Sequence, residues 1–96
     1  MSDIKSIVVR VGGEGGALLR LNGRKAWALD ALHKAGGRGC TPIERPAPRW
    51  SDYVMHLRRA GLDIETVDEP HGGTYAGHHG RYVLRSPVEV IAEVRA

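Results

Sequence analysis

The sharpest hydrophobic pattern in the chain lies between residues 48 and 61. There Trp50, Tyr53, Val54, Leu57 and Gly61 follow the i, i+3, i+4, i+7, i+11 spacing of one buried helical stripe. The opposite face carries Arg49, Ser51, Asp52, Met55, His56, Arg58 and Arg59. Pro48 suits a first helical turn, where its missing N–H would have no partner anyway, and Gly61 suits the left-handed residue that ends a helix. The pattern predicts an amphipathic helix over 48–61, with one face building a core and the other meeting solvent or a ligand.

Upstream, residues 4–11 alternate as a strand, with Ile7, Val9 and Val11 on one face and Val8 and Arg10 on the other. Gly12, Gly13, Glu14, Gly15 and Gly16 make a turn, and 17–21 read as a second strand, giving an N-terminal β-hairpin. The glycines lack the Gly-Lys-Ser/Thr ending or the G-x-G-x-x-G pattern of a phosphate loop. Asn22 is the expected N-cap of a helix over 24–35, with Trp27, Ala28, Ala31, Leu32 and Ala35 inward and Gly36-Gly37 as its stop. Thr41 followed by Pro42 opens a short second helix or 3₁₀ turn, which Pro46 limits to one or two turns.

Beyond Gly61, residues 62–69 alternate as a strand, 70–80 read as a long glycine-rich loop, and 81–85 return as a strand. The last segment supports two readings. Ser86-Pro87-Val88-Glu89 matches a capping box and favours a short helix, whereas the alternation of Val88, Val90, Ala92 and Val94 favours a strand; the helix is preferred.

Composition narrows the function classes. A chain of 96 residues buries roughly 60–68% of its unfolded surface, enough for one modest core and one domain. The formal charge of +3 permits an anionic partner, and eleven of the fourteen bases are Arg, which contacts phosphates and guanine edges bidentately. Residues 62–70 oppose this, with Asp63, Glu65, Asp68 and Glu69 and no base. Cys40 is the only cysteine, which excludes an internal disulfide and suggests a reducing, cytoplasmic location. No apolar run approaches the roughly 20 residues of a membrane span, so no membrane partner is expected. No paired carboxylates, activated nucleophile or phosphate loop can be picked out, so no catalysis and no small-molecule substrate is expected. His71, His78 and His79 with Cys40 or His56 lack the spacing of a zinc site, and neither metal nor cofactor is expected.

A helix, a short helix, an amphipathic helix and then strand, loop, strand are the parts of a helix-turn-helix with a β-wing. From Asn22 to Arg85 the chain resembles winged helix-turn-helix domains, particularly the small stand-alone ones of bacterial phages and prophages. The residues carrying the resemblance are Arg24-Lys25-Ala26-Trp27-Ala28-Leu29, Cys40-Thr41-Pro42-Ile43-Glu44, Leu57 to Thr66 (Leu-Arg-Arg-Ala-Gly-Leu-Asp-Ile-Glu-Thr), and Arg81-Tyr82-Val83-Leu84. The expected fold class is α+β, a winged helix of three helices, the second short, with an extra N-terminal β-hairpin. The expected organisation is one domain over 1–96: hairpin 1–21, winged helix core 22–85, and C-terminal helix or strand 86–96.

The resemblance implies binding to double-stranded DNA by a transcriptional regulator, with the third helix in the major groove and the wing on the backbone. The implied contacts are Arg49, Ser51, Asp52, Met55, His56, Arg58 and Arg59 on that helix, Arg24 and Lys25 at the start of the first, and His78, His79 and Arg81 on the wing. A homodimer through the hairpin or the C-terminal segment is a further expectation. The alternative is a protein-interaction module of the same fold that does not bind DNA, using the acidic wing strand and the apolar hairpin.

Overall fold

Strand β1 (Ile4–Val11) is the middle of a three-stranded antiparallel sheet, between β2 (Ala17–Asn22) and β5 (Val88–Arg95). A computed structural model describes residues 4–42, 44–45, 47, 49–71 and 77–95, without the side chains of His71 and His78. The alternation in β1 puts Ile7 and Val9 on the buried face, opposite Leu21 and Leu19 of β2, and helix α1 (Gly23–Ala35) lies across that face. After a 3₁₀ turn (Gly36–Arg38) come helix α2 (Trp50–Arg59) and a hairpin of β3 (Ile64–His71) and β4 (Gly77–Leu84). One hydrophobic cluster joins these elements, from Ile4, Ile7 and Val9 through Leu29 and Leu32 to Trp50, Leu57 and Ile64. Each fully buried aliphatic side chain in it contributes about 1.5–3 kcal/mol.

Helix α1 is enclosed on more than one side. Ala26, Ala28, Leu29, Ala31 and Leu32 are all buried, a wider face than the single stripe expected from the sequence, and Trp27 is half-buried. Small alanines let the helix approach both the sheet and α2. Asp30 is the charged residue drawn into this face, and it is compensated by Lys34 at 3.2 Å and Arg95 at 3.3 Å. The helix ends at Gly36, whose φ of 57° is the left-handed region where glycine has no Cβ penalty.

Among the described residues there are two α-helices, and the expected short second helix is not one of them. Its cap forms: Thr41 Oγ1 accepts from the Glu44 N–H at 3.1 Å, and the Arg45 N–H donates to the Thr41 carbonyl at 2.9 Å. Only that one turn exists among the described residues, because positions 46 and 48 are prolines and have no N–H to extend the ladder. Pro46 and Pro48 lie outside the described residues, and so does the expected helix start at Pro48.

The end of α2 follows the sequence closely. Gly61 has φ 107°, its N–H donates to Arg58 O at 3.0 Å, and the Leu62 N–H donates to Leu57 O at 3.1 Å. These two bonds form a Schellman motif, with buried Leu62 and Leu57 in the positions that accompany it.

Two further expectations are corrected. The preferred C-terminal helix is strand β5, paired antiparallel with β1. The Ser86 hydroxyl that would have capped a helix instead accepts from the Asp63 N–H at 2.7 Å, while Val88 and Val90 pack against the core. The wing loop is shorter than 70–80, since β3 runs to His71 and β4 begins at Gly77. Residues 72–76 lie outside the described residues. An isolated bridge sets a third chain segment against this hairpin: Cys40 and Tyr82 exchange backbone hydrogen bonds at 2.8 Å each way. Among the described residues no helix is long and apolar enough to cross a membrane.

Candidate nucleic-acid interface

Helix α2 buries Trp50, Tyr53, Val54 and Leu57 against α1 and the wing, which turns Ser51, Asp52, Met55, His56 and Arg59 outward. Met55 is 42% exposed, an apolar group left at the centre of a polar face. Asp52 and His56, one turn apart, approach to 3.8 Å. Asp52 in the first turn and His56, Arg58 and Arg59 in the last also match the helix dipole, which gives these charges a structural role besides any binding.

Arg58 is exposed but committed to contacts within the chain. Its Nε and Nη2 donate to Ile64 O at 3.0 and 2.6 Å, and Nη2 also donates to Thr66 Oγ1 at 2.8 Å, so it ties the end of α2 to the start of β3. Arg59 makes no ion pair among the described residues and is exposed.

The starts of the two helices meet through aromatic rings. The guanidinium of Arg24 stands 5.8 Å over the Trp27 ring, and Trp27 and Trp50 lie 5.3 Å apart. Tyr82 stacks on Trp50 from the other side at 6.0 Å, and the Trp50 indole N–H donates to Arg45 O at 2.6 Å. Arg24 is therefore held on this aromatic stack, and Arg24, Lys25 and Arg49 are all exposed, with none in an ion pair among the described residues. Arg24 and Lys25 also oppose the dipole of α1, whose first turn has no acid, so the helix alone gains nothing from them.

The wing is organised differently. Arg81 donates to Glu69 through Nε and Nη2, both at 2.8 Å, and through Nη1 to Glu44 at 2.9 Å and Arg38 O at 3.1 Å. His79 lies 2.8 Å from the same Glu69, and Arg38 contacts Glu44 at 2.7 Å. The bonds from Arg81 and then His79 hold the Glu69 carboxyl down to about 2, and Arg38 and Arg81 lower that of Glu44. The same pairing raises the pKa of Arg81. Arg85 pairs with Glu65 at 2.6 Å, so much of the acidity of β3 is neutralised by the wing's own arginines. The structure thus leaves Arg24, Lys25 and Arg49 exposed at the helix starts and places Arg58, His79 and Arg81 in intramolecular contacts. His78 is at the β4 position opposite Pro70, and its side chain lies outside the described ones.

Sequence reasoning missed the Arg38–Glu44–Arg81–Glu69–His79 network. Thr41-x-x-Glu44 was the one local signal, a capping pair that fixes where Glu44 points. Burial pushes the Cys40 thiol up, away from a reactive thiolate. Among the described residues no group of three or more His, Cys, Asp or Glu side chains is arranged to hold a metal.

Comparison with curated proteins and with solved structures finds no match to the chain. A family model described as a winged helix domain matches residues 18–94, which takes in both helices, the β3–β4 wing and nearly all of β2 and β5. The chain belongs to this winged helix domain family.

Proposed function

We propose that this protein binds double-stranded DNA with the outward face of α2 in the major groove. The carrying observation is the separation of its arginines. Those around the helix starts and the end of α2 make no ion pair among the described residues, whereas Arg81 and Arg85 of the wing are paired with carboxylates. Ser51, Met55 and His56 face base edges in this reading, with Asp52 orienting His56 or accepting from cytosine N4. Arg24, Lys25, Arg49 and Arg59 take phosphates, while Arg58 and Arg81 position α2 and the wing. The cellular role is transcriptional regulation of the phage or prophage type that the stretch from Leu57 to Thr66 resembles, in the cytoplasm, by a homodimer joined through the β2-β1-β5 sheet.

A salt titration on random duplex tests this. Four phosphate contacts give a log–log slope near −3.6, at roughly −0.9 per phosphate. Arg49→Ala with Arg59→Ala flattens the slope and leaves the fold intact. Absence of binding at low salt would sink the reading.

A second reading has its own observation. Leu18 (60% exposed) and Val94 (54%) share with Val8 and Arg10 the sheet face turned away from α1. That face suits a protein partner, and a protein that bound through it without binding duplex would be an interaction module.

A further inference from the structure

We propose that the cleft between the end of α1 and the turn carrying Glu44 and Arg45 binds a small, multiply charged oxyanion of the phosphate class. The cleft has a volume of about 370 Å³ and is lined by Lys34, Ala35, Arg38, Gly39, Cys40, Glu44 and Arg45. It holds three cations against one carboxylate, and none of its residues lies on α2. Among the described residues that line it, charged side chains predominate over apolar ones, which favours a charged ligand. Two guanidiniums and an ammonium suit tetrahedral oxygens, which arginine takes two at a time.

The cations are held in a way that leaves them available. Arg38, 76% exposed along its side chain, reaches Glu44 at 2.7 Å, and Lys34, 56% exposed, reaches Asp30 at 3.2 Å. The Arg45 guanidinium makes no ion pair among the described residues. Glu44 has a second partner in Arg81 at 2.9 Å, and Asp30 has one in Arg95 at 3.3 Å. An anion that takes Arg38 and Lys34 therefore leaves neither carboxylate unpaired. Glu44 is the competitor for the site and also its link to the wing. When an anion displaces it from Arg38, its carboxylate keeps Arg81 at 2.9 Å and the Thr41 hydroxyl at 3.5 Å.

Two sources supply this chemistry, a free phosphorylated molecule and a phosphate of the nucleic-acid backbone. The test is an amide NMR titration of the whole chain with sodium pyrophosphate, which uses no DNA and so succeeds or fails independently of duplex binding. Saturable shifts at Gly36, Gly37, Gly39 and Cys40 are expected. Arg45→Gln, at an exposed residue whose guanidinium makes no ion pair among the described residues, should weaken binding about tenfold, the loss of a hydrogen bond to a charged group. Glu44→Gln should tighten it several-fold by removing the competing charge. A parallel duplex titration assigns the source: shifts at the same four amides point to backbone phosphate, and their absence points to a free anion. Lack of saturation into the tens of millimolar, or shifts indifferent to Arg45→Gln and Glu44→Gln, overturns the proposal.

Discussion

The guanidinium of Arg58, the penultimate residue of α2, holds the backbone carbonyl of Ile64, the first residue of β3, through two donors at 3.0 and 2.6 Å. Its neighbour Arg59 has no such tie among the described residues, so two adjacent arginines are expected to behave in opposite ways. Arg58→Ala should lower stability by about 1–2 kcal/mol, since it removes charge-assisted bonds at a partly exposed site. The affinity of the folded fraction for duplex should barely change. Arg59→Ala should leave stability within about 0.5 kcal/mol and weaken binding. Urea unfolding and fluorescence anisotropy on the same two variants separate these outcomes.

Glu69 makes stability depend on acid in a defined window. Its folded pKa, about 2, lies below its ordinary value of 4.5, so the folded state binds fewer protons than the unfolded one. The contribution is complete above pH 4.5 and drains away as pH falls toward 2. Glu44, also lowered, adds in the same direction. Arg81→Gln removes the main cause of the Glu69 shift, and the mutant's stability should fall less steeply over this window than that of the parent. Equal slopes in acid titrations followed by circular dichroism would count against the network.

Gly39 guards the rung between Cys40 and Tyr82. It adopts φ 69°, and a Cβ there would run into the carbonyl of Tyr82 and the side chain of Val83. Gly39→Ala is expected to cost about 2 kcal/mol or more, through backbone strain and overpacking together. Loss of protection at the Tyr82 amide, which donates to Cys40 O, is the local signature to measure.

Trp50 is 3% exposed and lies between Trp27 and Tyr82. Trp50→Ala should destabilise the domain by about 3–5 kcal/mol, while Trp27→Ala, at a half-buried ring, should cost less. Thermal unfolding of the two variants, read by far-ultraviolet dichroism, gives the ranking.

Local physics was readable in this sequence wherever one segment decides its own shape. The stripe from Trp50 to Leu57, the alternation of Ile7 and Val9, and the glycine stops at Gly36 and Gly61 needed only their neighbours. Ser86 shows the limit. Its capping pattern is sound chemistry, but its hydroxyl is claimed by the amide of Asp63, 23 residues earlier. Val88 and Val90 are claimed by the core beside β1. Thr41 capped its turn as expected, and proline chemistry at 46 and 48 kept that turn from growing into a helix. For the interface, the outward residues of α2 were legible from periodicity. What Arg58 and Arg81 do was not, because their partners at Ile64, Glu69 and Glu44 are set by tertiary neighbours.

Ile4, the first described residue of β1, is paired with Arg95, the last of β5. Between these two residues the path of the backbone is therefore nearly a closed ring, with β1 and β5 stitched by one ladder. Trimming either end strips bonds from both, so deletions at this corner carry a double penalty. Joining β5 to β1 through a short linker and opening the ring at an exposed turn elsewhere would keep every rung of this ladder. The fold should accept such circular rearrangement more readily than it accepts shortening.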